Sequence, residues 1–358
     1  MLRWTALGLA VVVVLAGGTV FFVARHIEGG ITVARPVPAG PPPPKPVANA
    51  ENFLLIGSDS RSGSNGKGTG GSDVPGQRSD TTLILHISAG GKHATLVSIP
   101  RDSYVQIPAC NLPHGKHSKP FMSKFNAAFS EGGASCTITA IQHLTDIRID
   151  HYAVVNFVGF EHIVEALGGV RMCVAQPLSD PKRIDPATGT PIGSGLKLPA
   201  GKDVEINGGQ ALDLMRARYG IGNGSDISRI KRQQQFIGAM IRKVTSGSLL
   251  LNPVKLTKVL SAVAHSLTTD GFGFSTMQQL ASALHNVGSG GVQLLTVPLN
   301  PSPSSGVPSA DVQWDPTKAP QLWQAILHDR PIPATATSGG ASHKPIHAKT
   351  ASKEGCLK

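Results

Sequence analysis

The sequence predicts an α/β domain with a mixed β-sheet and helices on both of its faces, preceded by one N-terminal transmembrane helix. Three observations support this prediction. Short apolar runs typical of buried strands alternate with longer segments whose apolar residues recur every three or four positions, as in helices that bury one face. A long uncharged apolar run opens the chain. The 358 residues and 37.3 kDa leave room for a substantial core.

Thr5 to Ala24 is an uncharged apolar run, about 20 residues long, which is enough for a helix to span a bilayer. No small-x-small cleavage pattern precedes the polar region at Arg25, so an uncleaved anchor is favoured over a signal peptide. A signal anchor with its N-terminus inside is the usual outcome. We therefore expect a single-pass protein of the cell membrane, with a cytoplasmic stub and anchor in residues 1–27 and an extracytoplasmic remainder.

Composition divides the rest of the chain into three parts. Residues 28–50 contain PPPPKP and predict a Pro/Gly-rich linker that spaces the domain from the membrane. Residues 51–330 carry the strand and helix patterns and form the predicted catalytic domain. Residues 331–358 are rich in Ala, Ser, Thr, Gly, Pro and Lys, which is typical of a disordered basic tail.

The strand and helix patterns of the domain can be assigned in order. Predicted strands cover residues 52–57, 81–87, 93–99, 151–157, 170–174 and 292–299, and the second and third of these form a hairpin. Predicted helices cover residues 124–129, 137–145, 159–167, 253–265, 275–287 and 316–327, together with one capped by Asn207 and one after Asp226. A polar loop is expected over residues 175–201. The alternation of strands and helices predicts a mixed sheet.

The formal charge of +11 and the pI of about 9.7 indicate anionic partners. Aromatic residues make up only 5% of the chain, and no basic stretch is interleaved with them, so a nucleic-acid platform is not supported. Acidic lipid headgroups and phosphorylated glycans remain as candidates.

The stretch from Met215 to Phe236, MRARYGIGNGSDISRIKRQQQF, concentrates positive charge around a glycine-rich turn. Arg216 and Arg218 point to the same side if that part of the chain is extended. After the turn, one helical stripe carries Arg229, Arg232, Gln233 and Phe236, and Asp226 or Ser228 can cap its start. Arginine suits bidentate phosphate contacts, so the stretch predicts a diphosphate clamp. A solvated basic helix face is the alternative.

Acidic residues flank a glycine-rich loop that follows the first strand of the domain. Asp59 and Arg61 stand at its start, and Arg78 and Asp80 at its end. The loop does not match a P-loop, because Gly68 rather than Ser or Thr follows Lys67 and no apolar helix comes next. Carboxylates suit Mg²⁺, so a metal site is one reading of Asp59 and Asp80, and turn or cap residues are the other.

Arg101 and Asp102 come directly after the strand that ends near Ile99, a natural position for a site residue. A surface ion pair is the alternative. Among the four cysteines, Cys110 and Cys136 are the expected disulfide, which could contribute about 3 kcal/mol. Cys173 is expected in a buried strand, with Cys356 as its partner or as a free thiol.

The chain resembles the LytR-CpsA-Psr family of membrane-anchored cell-wall proteins over about residues 50–250. The resemblance rests on ordered motifs: NFLLIGSDSR, RSDTTLILHI, TLVSIPRDSYVQIP, KFNAAFSEGG, DHYAVVNFVGFEHIVEALGGV, INGGQALDLMRAR and SDISRIKRQQQF. It implies the α/β/α domain of that family and a transferase. The enzyme would move a glycopolymer from a polyprenyl diphosphate carrier to the muramic acid 6-hydroxyl of peptidoglycan, forming a phosphodiester and releasing polyprenyl phosphate.

The resemblance also implies roles for particular residues. Asp59 and Asp80 would hold Mg²⁺, for which Mn²⁺ could substitute. The diphosphate would be bound by basic and amide side chains: Arg61, Arg78, Arg101, Arg216, Arg218, Arg229, Arg232 and Gln233. Catalysis would depend on Arg101, Arg229 and Asp226, the last as a base or as a partner that orders Arg229. The lipid tail would lie between sheet and helices, with Val154, Phe157, Phe160, Ile163, Phe236 and Ile237 as candidate linings that are also ordinary core residues.

Three other functions are considered beside the phosphotransferase. A pyrophosphatase would cleave the same lipid diphosphate with water as the acceptor. A transcriptional attenuator would need a cytoplasmic DNA-contacting part, and very few residues precede the predicted span. A non-catalytic wall-binding protein would bind glycan without needing Asp59 and Asp80.

Overall fold

The structure is a computed structural model that describes residues 28–59, 79–217, 226–246, 252–271, 273–287 and 291–337, with single residues at 25, 221, 249, 356 and 357. Within these ranges no helix is long and apolar enough to cross a membrane. The predicted span from Thr5 to Ala24 lies outside the described residues.

The strands are β1 Thr32–Val33, β2 Glu51–Ser58, β3 Ser79–Ile87, β4 Ala94–Ile99, β5 Tyr104–Ile107, β6 Phe121–Lys124, β7 His151–Asn156, β8 Val170–Val174, β9 Leu178–Asp180, β10 Arg183–Ile184, β11 Pro191–Ile192, β12 Leu196–Leu198, β13 Gly201–Ile206, β14 Leu267–Thr269 and β15 Val292–Thr296. The helices are α1 Ala127–Thr145, α2 Phe157–Ala166, α3 Gly208–Arg216, α4 Asp226–Val244, α5 Pro253–Ser266, α6 Phe274–Val287, α7 Lys318–Leu327 and α8 Ala334–Thr337.

The central sheet is mixed and has seven strands in the order β1-β14-β7-β2-β3-β4-β15. Strands β7 and β2 are parallel, as are β4 and β15, whereas β3 is antiparallel to both of its neighbours. As a result β2, β4, β7 and β15 all run in one direction. We call the edge at which these four strands end the carboxyl end of the sheet, and the opposite edge the amino end.

Helices cover both faces of this sheet, as predicted. Side chains alternate between the faces of a strand, so Leu54 and Ile56 of β2 face one side and Phe53 the other. The first side packs against α1 and α7. The second packs against the Ile237 and Ile241 side chains of α4 and against α6. The predicted mixed α/β architecture is therefore confirmed.

A smaller layer lies beside the sheet and differs from the sequence prediction. The segment expected to be a polar loop over residues 175–201 contains β9, β10, β11 and β12, and β13 pairs with β8. These strands are two to six residues long, too short to leave a clear period in the sequence. Their buried leucines, among them Leu178, Leu196 and Leu198, pack against α2, α3 and α4.

Helix α1 is shorter at its start than predicted. Lys124 is the last residue of strand β6 and pairs with Tyr104 of β5, so residues 124–126 are not helical. Gly132 and Gly133 interrupt the helical backbone, and Gly133 has a positive φ of 61°. The predicted cap of α3 is confirmed, because Asn207 Oδ1 accepts a hydrogen bond from the Gln210 backbone N–H, and the Asn207 backbone N–H donates to Gln210 Oε1.

Residues 31–50, called the strap below, are packed along the domain and do not extend away from it. Strand β1 pairs in parallel with β14 at the edge of the sheet. Further along, the backbone N–H of Ala39 donates to Thr139, and Lys45 forms an ion pair with Asp150 at 2.9 Å. Proline-rich composition predicts an extended segment but cannot indicate what that segment lies against.

Both ends of the predicted disordered tail contain folded residues. Helix α8 covers residues 334–337, and Ala336 belongs to the core beside α7. At the other end, Cys356 forms a disulfide with Cys173, and Leu357 is fully buried beside β8. Residues 338–355 lie outside the described part. The predicted Cys110–Cys136 disulfide is present, and the question left open for Cys173 is answered by Cys356.

Candidate active site at the carboxyl end of the sheet

Asp59 and Asp80 lie next to each other at the carboxyl end of the sheet. Strands β2 and β3 pair through Ser58 and Ser79, and the register shifts by one residue at this point. Asp59 follows Ser58 directly, and Asp80 is the residue that the shift leaves unpaired. Irregularities of this kind re-aim side chains next to active sites. The two carboxylates predicted to act together are therefore delivered by adjacent strands.

Arg101 reaches the same place from the turn after β4. Its Nη1 donates to Asp80 Oδ1 at 2.7 Å, and its Nε donates to Asp102 Oδ2 at 3.4 Å. The side chains of Arg101 and Asp80 remain 18% and 32% exposed. An ion pair of this exposure is stabilised only weakly, so an incoming anion or cation can exchange with either partner.

Lys124 and Asp311 extend the contacts of Asp80, Arg101 and Asp102 into a chain of alternating charge. Lys124 Nζ lies 2.9 Å from Asp102 Oδ1 and 3.1 Å from Asp311 Oδ1. The hydrogen bond to Asp102 raises the pKa of Lys124, which keeps its ammonium charged. We call Asp80, Arg101, Asp102, Lys124 and Asp311 the charge chain.

Backbone contacts fix the loop that carries the charge chain. Residues 102–104 pair with Val312, whose N–H donates to the Asp102 carbonyl at 3.0 Å. Trp314 Nε1 donates to Ser103 Oγ at 2.9 Å, and the Asn126 N–H donates to the Arg101 carbonyl at 3.1 Å. The loop that carries Arg101 is thus held by two separate parts of the sequence, residues 312–314 and Asn126.

Arg216, the last residue of α3, also lies at the carboxyl end. Its guanidinium carbon stands 5.1 Å from the centroid of the Phe157 ring, a cation–π contact. Phe157 follows Asn156, and Asn156 pairs with Ser58 at the end of β2. The stacking therefore holds a positive charge close to Asp59.

Helix α4 is oriented with its first half toward the same end. The amide of Gln234 donates to Ser98 Oγ at 3.0 Å, to Thr296 Oγ1 at 3.0 Å and to the Leu295 carbonyl at 2.8 Å. Ser98 and Thr296 are close to the ends of β4 and β15. Arg229 comes earlier on the helix and is only 5% exposed. Its stripe faces the protein, so the alternative of a solvated basic face is wrong for Arg229 and Arg232.

Arg232 and Gln233 contact the protein's own backbone in this structure. Arg232 donates from Nη2 to the Ala217 carbonyl at 2.8 Å and from Nη1 to the Ile221 carbonyl at 3.4 Å. Gln233 donates to the Met215 carbonyl at 3.2 Å. Burial lowers the pKa of Arg232, while Asp180 acts in the opposite direction. Both side chains hold the segment that carries Arg216, which is a positioning role that sequence reasoning did not assign.

The other predicted site residues are not all described. Arg61, Arg78 and Arg218 lie outside the described residues, and of Asp226 only the backbone is described, as the first residue of α4. The candidate tail linings are spread over several core clusters. Val154 packs with the α1 side, the tilted rings of Phe160 and Phe236 lie 5.9 Å apart in the smaller layer, and Ile237 packs on the sheet.

The donor set at Asp59 and Asp80 fits Mg²⁺ by its chemistry. Two carboxylates at adjacent strand ends match an ion that proteins bind through one or two carboxylates while substrate phosphates and water complete the shell. In the described part of the chain, no group of three or more His, Cys, Asp or Glu side chains could hold a metal without such help. The pair therefore suits a metal that arrives with a phosphorylated substrate.

Lys124 and Asp311 were missed at the sequence level. Lys124 was predicted in a helix, and its strand position shows only in the pairing with β5. Asp311 lies in a segment without periodic pattern, far along the chain from Arg101. The adjacent Arg101 and Asp102 are the signal in the sequence, because partly buried charged side chains usually have further hydrogen-bond partners.

The fold and this cluster define an α/β protein with an acidic and basic site at the carboxyl ends of its strands. The chain belongs to the LytR_cpsA_psr family, whose model matches residues 39–324. It is 34% identical over 293 residues to the "Probable cell wall biosynthesis protein LcpB" of Corynebacterium glutamicum, covering 79% of this chain and 63% of that protein. It is 32% identical over 235 residues to the "Polyisoprenyl-teichoic acid--peptidoglycan teichoic acid transferase TagU" of Enterococcus faecalis, covering 65% and 66%.

Solved structures share the fold at lower sequence identity. "TagT bound to LIIa-WTA" aligns with a TM-score of 0.55 and 21% sequence identity, over 83% of this chain and 99% of that one. The chain thus spans nearly all of that structure. It spans about three fifths to two thirds of the length of the two curated relatives, at 63% and 66%.

Proposed function

We propose that this chain transfers a glycopolymer phosphate from a polyprenyl diphosphate carrier to the muramic acid 6-hydroxyl of peptidoglycan. The products are a phosphodiester and polyprenyl phosphate. The proposal includes the cell-membrane location with an extracytoplasmic domain. The names of its relatives support it, since TagU is called a polyisoprenyl-teichoic acid to peptidoglycan transferase and LcpB a probable cell wall biosynthesis protein.

One observation carries the proposal within this chain. Asp59, Asp80 and Arg101 meet at the carboxyl end of the sheet, with Asp80 and Arg101 joined at 2.7 Å and partly exposed. Ligands of α/β sheets bind outside the carboxyl ends of the strands. A site with both carboxylates and guanidinium groups suits a metal-bound diphosphate better than a neutral sugar.

For this reaction the protein has to neutralise the charge of the diphosphate and align the two substrates. The muramic hydroxyl oxygen attacks the phosphorus that carries the glycopolymer, and the bond from that phosphorus to the polyprenyl phosphate oxygen breaks. Arg101 and Arg216 would bind the diphosphate oxygens, where charge builds up as the polyprenyl phosphate leaves. Arg229, with Arg61, Arg78 and Arg218, is proposed to complete the clamp. Asp226, at the start of α4, is the proposed acceptor of the hydroxyl proton.

Asp59 and Asp80 would hold Mg²⁺ or Mn²⁺, which neutralises diphosphate charge when it is bound. The chain's own contribution is to keep the two carboxylates side by side through the Ser58 and Ser79 pairing. Arg101 balances the charge of Asp80. It can shift to a phosphate oxygen because its ion pair with Asp80 is partly exposed, while Nε stays bonded to Asp102.

The test is a transfer assay with the full-length protein in detergent, Mg²⁺, a glycosylated polyprenyl diphosphate and a peptidoglycan acceptor. We expect product linked to the acceptor, and a loss of about 10²- to 10³-fold in Arg101→Ala. Arg171→Ala is the matched control, because Arg171 is an exposed arginine held by Asp203 and Glu205. Equal rates in Arg101→Ala and Arg171→Ala, or no linked product, would contradict the proposal.

Omitting the acceptor separates the alternative activity. A pyrophosphatase releases polyprenyl phosphate at the same rate with or without peptidoglycan, whereas the transferase needs the acceptor for most of its turnover. Glycan binding that survives in Asp59→Asn/Asp80→Asn without any turnover in the wild type would instead indicate a binding protein.

A further inference from the structure

A cavity with both charged and apolar lining residues lies at the amino end of the sheet, opposite the candidate active site. Its volume is about 350 Å³, within the range that holds small ligands. The strap forms one wall, and the end of α1 with the following loop and β7 forms the other. Since β2 rises about 3.3 Å per residue between Phe53 and Asp59, the cavity is roughly 20 Å from the proposed diphosphate site.

The floor of the cavity carries a hydrogen-bond acceptor that no described residue satisfies. His151 Nδ1 is bonded to Asp270 Oδ2 at 2.9 Å, while the other oxygen, Asp270 Oδ1, is buried and has no hydrogen-bond partner among the described residues. A buried acceptor without a donor costs free energy, so this oxygen favours a ligand that brings an N–H or O–H group.

The rim of the cavity carries positive charge. Arg35 of the strap and Arg148 both line the cavity and are exposed. The nearest carboxylate to Arg148 is Asp150, at 3.7 Å, and Asp150 already binds Lys45 at 2.9 Å. Arg35 forms no ion pair with a described residue. The rim therefore suits an anionic group, and planar guanidinium groups match a carboxylate.

Part of the remaining wall is apolar. Pro36 and Pro38 of the strap face Ile138 and Ile149 across the cavity. These side chains suit small aliphatic groups, and Tyr152, which also lines the cavity, is only 2% exposed and offers little ring surface on which a sugar could stack. Together, the apolar wall, the basic rim and the acceptor at the floor favour the carboxyl-terminal end of a peptide over an acidic sugar.

We propose that this cavity binds the carboxyl-terminal end of a short peptide with small aliphatic residues. The terminal carboxylate pairs with Arg35 and Arg148, the side chains lie between the prolines and isoleucines, and a peptide N–H donates to Asp270 Oδ1. In the cell wall, stem peptides of the acceptor are such a source, and that assignment of the source rests on the proposed function. The cavity would then hold part of the acceptor roughly 20 Å from the transfer site.

Titration calorimetry with the full-length protein in detergent tests the proposal, with N-acetyl-D-alanyl-D-alanine as the probe. We expect its C-terminal amide to bind at least about tenfold more weakly, because an ionic hydrogen bond is lost. Arg35→Ala and Arg148→Ala, both at exposed positions, should each weaken the carboxylate probe, and Asp270→Asn should do so as well. Arg171→Ala is the control and should bind like the wild type.

The contrary results are equally specific. Equal affinity for acid and amide, wild-type affinity in Arg35→Ala and Arg148→Ala, tighter binding of a uronic acid than of the peptide, or no binding of the probe would overturn the proposal. Failure of the proposed function looks different. The transfer assay would then give no linked product in the wild type, while the calorimetric result for the peptide would stand.

Discussion

The two ends of the central sheet use charged residues in different ways. At the carboxyl end, Asp80 and Arg101 are paired but partly exposed, and their partners come from loops. At the amino end, Asp150 has a side chain only 12% exposed, and it binds Lys45 of the strap and accepts a hydrogen bond from the backbone N–H of Asn52 in β2. The carboxyl end therefore has charges that can change partners, whereas the amino end has charges that join parts of the fold.

This difference follows from where the partners originate. His151 and Asp270 flank the paired strands β7 and β14, so their contact is set by sheet register. Asp80 lies at a register shift at the start of β3, and Arg101 lies on a turn, so their contact depends on an irregular strand end and a loop. Interactions in a sheet are hard to rearrange, while loop-borne pairs can open for a ligand.

The largest expected effect is on transfer in Asp80→Asn. The substitution keeps the side-chain shape but removes the charge that pairs with Arg101 and the proposed metal ligand. We expect the transfer rate to fall by about 10²- to 10³-fold while the unfolding midpoint in urea stays near that of the wild type. A rate within threefold of the wild type would show that the carboxyl end is not the site.

The second prediction concerns the amino end, where the effect should be on stability. In Asp150→Ala, Lys45 and the Asn52 N–H lose their common partner, and the strap loses an anchor. We expect the free energy of unfolding to fall by about 1–3 kcal/mol, measured by urea denaturation. At saturating acceptor the kcat of the folded protein should be unchanged, so a large loss of kcat would remove the contrast between the ends.

Local patterns in the sequence predict secondary-structure elements most closely. The strands at 52–57 and 81–87 and the helix after Asp226 are close to β2, β3 and α4, because each has a clear apolar period. The Asn207 cap was predicted from neighbouring residues alone. The family motifs also contain Asp59, Asp80 and Arg101, the acids and the arginine of the candidate site.

Contacts between distant segments could not be predicted in the same way. Nothing near Lys124 indicates that it will lie between Asp102 and Asp311, and no period in the strap indicates pairing with β14. Arg232 illustrates the same limit, because a basic residue on a helix can bind phosphate or backbone carbonyls, and here it binds those of Ala217 and Ile221. Such choices depend on tertiary packing.

The third prediction tests the charge chain. In Lys124→Met, Asp102 loses a partner, and its hold on Arg101 is weakened. Because the Lys124 side chain is 40% exposed, we expect a fall of only about two- to fivefold in kcat/KM for the lipid diphosphate. Lys124→Arg should recover most of the loss if the charge is what matters.

A double-mutant cycle separates positioning from general damage. If Lys124 acts through Arg101, Lys124→Met should have almost no further effect in the Arg101→Ala background. Additive losses would mean that Lys124 does not act through Arg101. The same cycle with Arg171→Ala should be additive, because Arg171 contacts Asp203 and Glu205 instead.

The smallest expected effect is the pH dependence of stability from two histidines near the amino end. The hydrogen bond with Asp270 raises the pKa of His151, with smaller contributions from Glu51 and Asp150. Burial lowers the pKa of His86, against the effects of Asp329 and Asp150 and with a small effect of Lys45. A raised folded pKa stabilises the protein below the unfolded value of about 6.5, and this stability is lost as the pH rises through the folded value.

His86 has the opposite sign, because a lowered folded pKa destabilises the protein as the pH falls below about 6.5. The two residues therefore act in different windows, His151 above that pH and His86 below it. Urea unfolding between pH 5 and pH 8.5 should show His151→Gln losing the decline at the alkaline side, and His86→Gln losing the decline at the acid side. If both variants kept the wild-type curve, the histidines of the amino end would not be coupled to folding, and the contrast with the carboxyl end would rest on Asp150 alone.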